Sequence, residues 1–311
     1  MNYLKLIRYP NLVLIAFMLL TFHYGFLKFQ DISLALNDWQ FGLFVLATIL
    51  IAAAGYVIND IMDQEVDQEN KPEKLIVGHS ISESKAYNLY LLLTITGTLI
   101  GFYLSYYVIN KTSFFGLFVI YSILLYVYAT DVKQIPFLKN ILVAFILALS
   151  VISVGMFDVI PIIIPDNDAK VKLVLSIILD YAIFAFILNL IREIVKDLED
   201  YSGDFNQGIR TIPVLFGIKK TVRLVVVLGV IAAILLLGYI NNNLMNFKLY
   251  YATIYALSVV VAPLIFFLIK IWNATTKEEY HRLSSILKWI IFFGILSILI
   301  ITLNIVHNAK G

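Results

Sequence analysis

The chain contains no cysteine and few charged residues. Each absence excludes certain classes of protein. Without cysteine it has no disulfide framework, no thiolate nucleophile and no Cys-ligated zinc. Only 14% of the 311 residues are charged, whereas 61% are hydrophobic. So few polar side chains cannot cover a water-soluble globule of this size, and the composition indicates a protein that lies largely in lipid.

Nine continuous apolar runs are long enough to cross a bilayer as helices. A helix that rises ~1.5 Å per residue needs about 20 apolar residues for a hydrocarbon layer of ~30 Å. The runs do not alternate in polarity, which favours helices over barrel strands. We therefore predict an all-α fold, a single polytopic membrane domain over residues 1–311, with spans at Pro10–Leu27, Phe41–Ile58, Ala86–Val108, Ser113–Ala129, Phe137–Phe157, Leu173–Ile191, Val222–Ile240, Leu249–Ile271 and Ser284–Val306.

The distribution of basic residues predicts the orientation. The first run lacks a small-residue cleavage site and is expected to be a retained helix rather than a signal peptide. Nine spans then place the amino terminus and the loops after even-numbered spans on one side, which carries 17 of the 23 Lys and Arg residues. The positive-inside rule makes this side cytoplasmic. We predict an inner-membrane protein with a cytoplasmic amino terminus, an external carboxyl terminus and an active site facing the cytoplasm.

Two acidic motifs, at residues 59–67 and 197–204, share one spacing and suggest an internal duplication. The pattern D-x-x-D-x-x-x-D puts its three carboxylates on one helical face. Each motif closes an even-numbered span, so both are expected on the same side of the membrane. The carboxylates are Asp60, Asp63 and Asp67 in the first motif and Asp197, Asp200 and Asp204 in the second.

Like charges stacked at a membrane-proximal helix end repel one another and call for a cation. The four histidines lie far apart without ligand spacing, so the ligands are expected to be oxygen atoms, which suit Mg²⁺ completed by substrate phosphate. Two facing clusters are therefore expected to hold Mg²⁺ around one diphosphate. Basic residues that flank the motifs or lie in the predicted cytoplasmic loop between them are expected to bind the diphosphate oxygens: Lys71, Lys74, Lys133, Arg192, Lys196 and Arg210. Asn11, a polar residue within an apolar run, is expected to line a cavity or bond a neighbouring helix.

The sequence resembles the UbiA superfamily of intramembrane prenyltransferases over nearly its whole length. The resemblance implies a nine-helix bundle around a central cavity that opens toward lipid. It also implies Mg²⁺-dependent activation of a polyprenyl diphosphate and attack on its allylic carbon by an acceptor. It rests on Asn59-Asp60-x-x-Asp63-x-x-x-Asp67 with Asn70-Lys71-Pro72-x-Lys74, on Tyr128 with Lys133, and on Asp197-x-x-Asp200-x-x-x-Asp204 with Thr211 and Pro213.

The stretch 192–204 is most similar to the branch that alkylates geranylgeranylglyceryl phosphate, an ether-lipid precursor. On this basis Asn59 joins the six aspartates as a metal ligand, and Lys133 acts with the aspartates in catalysis. Tyr128, Asn59 and Asn11 join the basic residues in binding substrate. A phosphorylated acceptor needs a further cation, for which the candidates are Arg8, Lys74, Lys139 and Arg210. Neither nucleic acid nor an obligate protein partner is expected.

Three alternatives remain open at this point. The acceptor of a prenyltransferase could instead be aromatic, such as 4-hydroxybenzoate, a menaquinone precursor or a heme. A transporter could bind a divalent ion, but transport places ionisable groups near the bilayer midplane, and Asp180 is the one clear carboxylate inside a span. Acidic runs can also be solvated loop charges, although a repeated spacing at two span ends disfavours that interpretation.

Overall fold

The computed structural model describes residues 2–64, 75–164 and 168–310. Within these residues nine helices are long and apolar enough to cross a membrane, and no strand is formed, which confirms the all-α prediction. The protein is therefore a multi-pass membrane protein. The helices are α1 (Tyr9–Phe29), α2 (Asp38–Met62), α3 (Glu83–Val108), α4 (Thr112–Thr130), α5 (Leu138–Ile162), α6 (Ala169–Glu199), α7 (Ile218–Met245), α8 (Tyr250–Asn273) and α9 (Lys277–Asn308).

Several helices extend beyond the apolar runs that predicted them. Helix α6 was expected at Leu173–Ile191 and continues to Glu199, and α9 starts at Lys277 rather than at Ser284. Hydropathy marks only the part of a helix that lies in lipid, whereas backbone hydrogen bonding continues into its polar ends. These polar extensions matter for function, because α6 carries its acidic residues there.

The start of α2 is fixed by a capping box. The Gln40 backbone N–H donates to Asn37 Oδ1, and the Asn37 N–H donates to Gln40 Oε1, each at 3.0 Å. Two backbone donors that no helical carbonyl can reach are thereby satisfied. The cap sets the register of α2, and with it the position of the acidic residues at its other end.

One of two compact units comprises Met1–Leu20, Ile32–Lys133 and Ile152–Leu175. Its core includes fully buried phenylalanine rings, with the Phe44 centroid 5.0 Å from Phe157 and 6.2 Å from Phe118. Helix α2 packs closely on α3 and α4: a Cβ on Gly97 would lie 3.1 Å from the Ala47 carbonyl oxygen. Small residues permit this approach, as expected for packed membrane helices.

The other unit comprises Thr21–Asp31, Gln134–Val151 and Ser176–Gly311. Its core joins the apolar sides of α6, α7, α8 and α9, and includes the fully buried Phe267 and Leu287. Tyr280 is buried at the start of α9, where its hydroxyl donates to the Ala274 carbonyl at 2.8 Å. That bond satisfies the polar end of a large buried side chain and fixes the turn between α8 and α9.

Candidate active site

The first acidic motif lies at the end of α2. Asp60 is in the last turn, and Asp63 is the residue that caps the helix carboxyl terminus. Buried Val57, Ile58 and Ile61 anchor this turn in an apolar cluster of the same unit. The carboxylates therefore sit on a rigid helix end rather than on a mobile loop.

Each of these two carboxylates has a basic partner. Lys133 Nζ lies 2.5 Å from Asp63 Oδ1, and Asn59 Nδ2 donates to Asp63 Oδ2 at 2.8 Å. Arg8 Nη2 lies 3.0 Å from Asp60 Oδ1, and the Arg8 guanidinium also stacks over the ring of Tyr56. The structure thus brings Lys133 and Asn59 to Asp63, as sequence reasoning grouped them.

The remaining predicted residues of the first unit are placed as follows. Tyr128 is half-buried in the last turn of α4, within the predicted span. Asn11 is half-buried in the first turn of α1, also within the predicted span. Three further predicted residues lie outside the described residues: Asp67, Lys71 and Lys74.

The second acidic motif is carried by two helices, so the prediction of one continuous helical face is wrong here. Helix α6 ends at Glu199, Asp200 (φ −91°, ψ 3°) follows, and a short helix spans Tyr201–Asn206. Negative charges at a helix carboxyl terminus oppose the helix dipole, and Ser202 and Gly203 are weak helix formers. Asp197 therefore lies in the last turn of α6, whereas Asp204 lies in the short helix.

Asp197 is held at both carboxylate oxygens. Lys139 Nζ lies 2.8 Å from Oδ1, and Asn140 Nδ2 donates to Oδ2 at 3.0 Å. Asp197 is only 7% exposed, and Asn140 is buried beside it at the start of α5. A carboxylate this buried requires compensation, and the lysine and the amide provide it.

The negative charge of Asp204 is less fully compensated than that of Asp197. Burial raises the pKa of its carboxyl to about 6, and the negative charges of Asp197 and Asp200 act in the same direction, whereas the Lys139 cation opposes them. The carboxyl thus lies in an acidic environment that favours an added cation.

The predicted diphosphate-binding cations of α6 share one acidic neighbour. Lys196 Nζ lies 2.6 Å and Arg192 Nη1 3.6 Å from Glu193 Oε1. The Arg192 Nε atom is buried, and no described residue accepts a hydrogen bond from it. Arg210 is exposed between two short helices and forms no ion pair with a described residue. Arg192 and Arg210 therefore keep donors available for an anionic ligand.

Sequence reasoning missed Asn140 entirely, and it considered Arg8 and Lys139 only as contacts for an acceptor phosphate. The structure pairs Arg8 with Asp60, and Lys139 with Asp197. The sequence offered only a weak indication of these two partners of Asp197: a lysine followed by an asparagine near the start of the fifth apolar run. No spacing rule connects residues that lie more than 50 positions apart in the chain.

The donor atoms suit Mg²⁺. The acidic residues supply only oxygen, and the buried Asn140 Oδ1 has no hydrogen-bond partner among the described residues, so a further neutral oxygen is available. In the described part of the chain no three His, Asp or Glu side chains form a ready metal-binding group. The basic residues described above occupy the positions next to the carboxylates.

Comparisons with known proteins agree with this chemistry. The family model of the UbiA prenyltransferase family matches residues 18–293. A digeranylgeranylglyceryl phosphate synthase of Saccharolobus solfataricus is 32% identical over 299 residues, which cover 96% of each chain. One of Methanosphaera stadtmanae is 30% identical over 252 residues, covering 78% of this chain and 80% of that protein.

Solved structures share the fold. A structure of a digeranylgeranylglyceryl phosphate synthase gives a TM-score of 0.64 at 23% identity and covers 97% of both chains. A UbiA homolog from Archaeoglobus fulgidus, bound to DMAPP and Mg²⁺, gives 0.59 at 18% identity and covers 96% of this chain and 99% of that one.

Proposed function

The chain belongs to the UbiA prenyltransferase family, and from this premise we propose that it transfers a geranylgeranyl group from its diphosphate to geranylgeranylglyceryl phosphate. That it is a membrane prenyltransferase follows from the family and from nine membrane-spanning helices in the described residues. The observation that carries the choice of acceptor is the match along 96% of both chains to a digeranylgeranylglyceryl phosphate synthase. Family membership also favours an enzyme over the transporter alternative.

In this proposal the aspartates of each acidic motif bind Mg²⁺ for the diphosphate, with Asn59 as a neutral ligand in the first motif. The metal supplies positive charge to the diphosphate leaving group. Lys133, Arg192 and Lys196 bind the non-bridging oxygens and stabilise the charge that develops as the carbon–oxygen bond breaks. Tyr128 and Asn11 contact substrate, as do Lys71 and Lys74 beyond the described residues.

The acceptor hydroxyl attacks the allylic carbon, and the bond from that carbon to the diphosphate oxygen breaks. The hydroxyl proton leaves to a carboxylate or to the released diphosphate, so that the products are the ether and diphosphate. The site lies within a membrane domain that shelters the allylic carbon from water. We assign residues 1–311 to one catalytic domain and place its acidic motifs on the cytoplasmic side of the membrane.

A phosphorylated acceptor requires a cation beyond those that serve the diphosphate and the acidic motifs. Among the described candidates Arg8 and Lys139 contact Asp60 and Asp197 of the motifs, which leaves Arg210. We assign Arg210 to the acceptor phosphate.

The purified protein in nanodiscs, given geranylgeranyl diphosphate, Mg²⁺ and geranylgeranylglyceryl phosphate, should form digeranylgeranylglyceryl phosphate, identified by mass. Parallel reactions contain 4-hydroxybenzoate, a menaquinone precursor or a phosphate-free glyceryl ether, which should be poor substrates. Efficient prenylation of an aromatic acceptor, with geranylgeranylglyceryl phosphate ignored, would refute the proposed acceptor.

A further inference from the structure

Asp63 and Asp197 are held in the same way, although the elements that hold them differ. At Asp63 a lysine from the connection after α4 contacts Oδ1, and an asparagine of the same helix donates to Oδ2. At Asp197 the lysine and the asparagine are consecutive residues at the start of α5. The repeated aspartate spacing cannot produce this likeness, because it determines neither lysine nor the second asparagine.

The orientation of the Asn140 amide follows from its partner. An ionised carboxylate only accepts hydrogen bonds, so the nitrogen of Asn140 must face Asp197. Its oxygen therefore points elsewhere, and this Oδ1 is buried without a donor among the described residues, in a side chain that is 2% exposed. A buried carbonyl oxygen without a donor is costly, and a bound cation or a water held by that cation is a partner that would satisfy it.

Lys139, like Asn140, is little exposed. The ion pair that it forms with Asp197 is largely desolvated, with side chains 16% and 9% exposed. Lys139 is a flexible cation, and it can turn from the carboxylate to another anion without moving the backbone. Lys133, which we assign to the diphosphate, is in the same situation, paired with Asp63.

We propose that Lys139 and Asn140 complete the donor-substrate site of the second unit. Lys139 neutralises Asp197 while substrate is absent and binds the prenyl diphosphate when it is present. Asn140 is a positioning residue: it orients Asp197 and offers Oδ1 to hydrated Mg²⁺. This inference rests on the proposed function for the donor, and it is independent of the acceptor.

The test measures binding of geranylgeranyl thiodiphosphate, an unreactive donor analogue, to the purified full chain by calorimetry over a range of Mg²⁺ concentrations. Lys139→Met should weaken analogue binding at saturating Mg²⁺ by about tenfold or more, the loss expected for one charge-assisted hydrogen bond. Lys139→Arg should restore most of it. Asn140→Leu should raise the Mg²⁺ concentration for half-maximal analogue binding by about tenfold, with little change at saturating Mg²⁺.

Asn304→Leu is the matched control, because Asn304 is a buried asparagine of the same unit that accepts a hydrogen bond from the Ala252 N–H. It should lower the melting temperature without changing either binding constant. If Lys139→Met and Asn140→Leu behave like this control, the residues are structural and the inference is overturned. Should Asn140→Leu fail to fold, the comparison of the Lys139 variants decides alone. Failure of the unaltered protein to bind the analogue with Mg²⁺ would instead refute the proposed function.

Discussion

Lys133 Nζ lies 2.5 Å from Asp63 Oδ1, and this ion pair joins the connection after α4 to the end of α2. The Lys133 and Asp63 side chains are 17% and 25% exposed. Asn59 of α2 donates a hydrogen bond to the second oxygen of the carboxylate. The negative charge of Asp63 is therefore already balanced before substrate arrives. Its replacement should affect catalysis far more than folding.

Asp63→Asn should lower kcat/KM by about 100-fold or more, because it removes the charge of a proposed metal ligand while keeping the shape of the side chain. Initial rates of product formation measure this, and the melting temperature shows whether the fold survives. Asp131→Asn is the matched control, since Asp131 is exposed near Lys133 and bonds only its neighbour Thr130 among described contacts. A variant of Asp63 that kept more than half the activity would show that this residue binds no metal.

Removal of divalent metal should abolish turnover. Without Mg²⁺ the lysines beside Asp63 and Asp197 cannot neutralise both these carboxylates and a diphosphate, and the leaving group has no metal to take up its charge. Product formation is measured in excess EDTA and again after Mg²⁺ is added beyond the chelator, which should restore the rate. Full turnover in EDTA would contradict the assignment of both acidic motifs.

Two glycine-to-alanine substitutions, one at a close helix contact and one in open space, should differ in their effect on stability. A Cβ on Gly97 would lie 2.8 Å from Ile51 Cγ1 and 3.1 Å from the Ala47 carbonyl oxygen, whereas one on Gly116 meets nothing within 4 Å. Gly97→Ala should therefore destabilise the protein by about 1–3 kcal/mol through overpacking. Gly116→Ala should be neutral or slightly stabilising, since alanine favours helix. Thermal unfolding in detergent compares the two, and equal melting temperatures would show that α2 and α3 are not closely packed.

Arg210→Gln should raise KM for geranylgeranylglyceryl phosphate about tenfold and leave KM for geranylgeranyl diphosphate nearly unchanged. The reason is that Arg210 is exposed and forms no ion pair with a described residue, so it remains available for the acceptor phosphate. Steady-state kinetics with each substrate varied in turn measure the two constants. Arg223→Gln, an exposed arginine on α7, serves as the control. Equal rises in both constants would contradict a role specific to the acceptor.

The predicted orientation is tested by cysteine labelling, for which the natural chain is already a cysteine-free background. Single cysteines at Gln134 and Asn206 should react with an impermeant maleimide only from the cytoplasmic side. Cysteines at Asn110 and Asn242 should react only from the opposite side. All four positions are exposed, so each reports membrane sidedness rather than burial. A single site labelled from the other side would contradict the predicted topology.

The helical fold could be predicted from the sequence because lipid imposes a simple rule: a spanning segment must be apolar and must satisfy its own backbone hydrogen bonds. The apolar runs located the nine long apolar helices found among the described residues, and they missed mainly polar helix ends, such as 192–199 of α6. The break at Asp200 was not foreseen, because spacing alone does not include the effect of Glu199 and Asp200 on the helix dipole.

The aspartates of the candidate site could be singled out from the sequence because their spacing repeats within the chain. Their partners could not, because Arg8 reaches Asp60 across 52 positions and Asn140 reaches Asp197 across 57. Such contacts depend on how the helices pack, and no local periodicity of the sequence indicates them. Lys133 was grouped with the site by its charge in a predicted cytoplasmic loop and by resemblance, whereas Asn140 had neither charge, resemblance nor spacing to identify it.

The lysines that hold Asp63 and Asp197 also bear on the order in which ligands bind. Under the proposed function, these carboxylates would become available to Mg²⁺ once their lysines have left, and the lysines would leave when a diphosphate offers them another anion. Metal and donor would then bind synergistically rather than independently. Thermodynamic linkage would require each to raise the affinity of the other by the same factor. The free Mg²⁺ concentration would thus set the apparent affinity for the prenyl donor as well as the rate of the reaction.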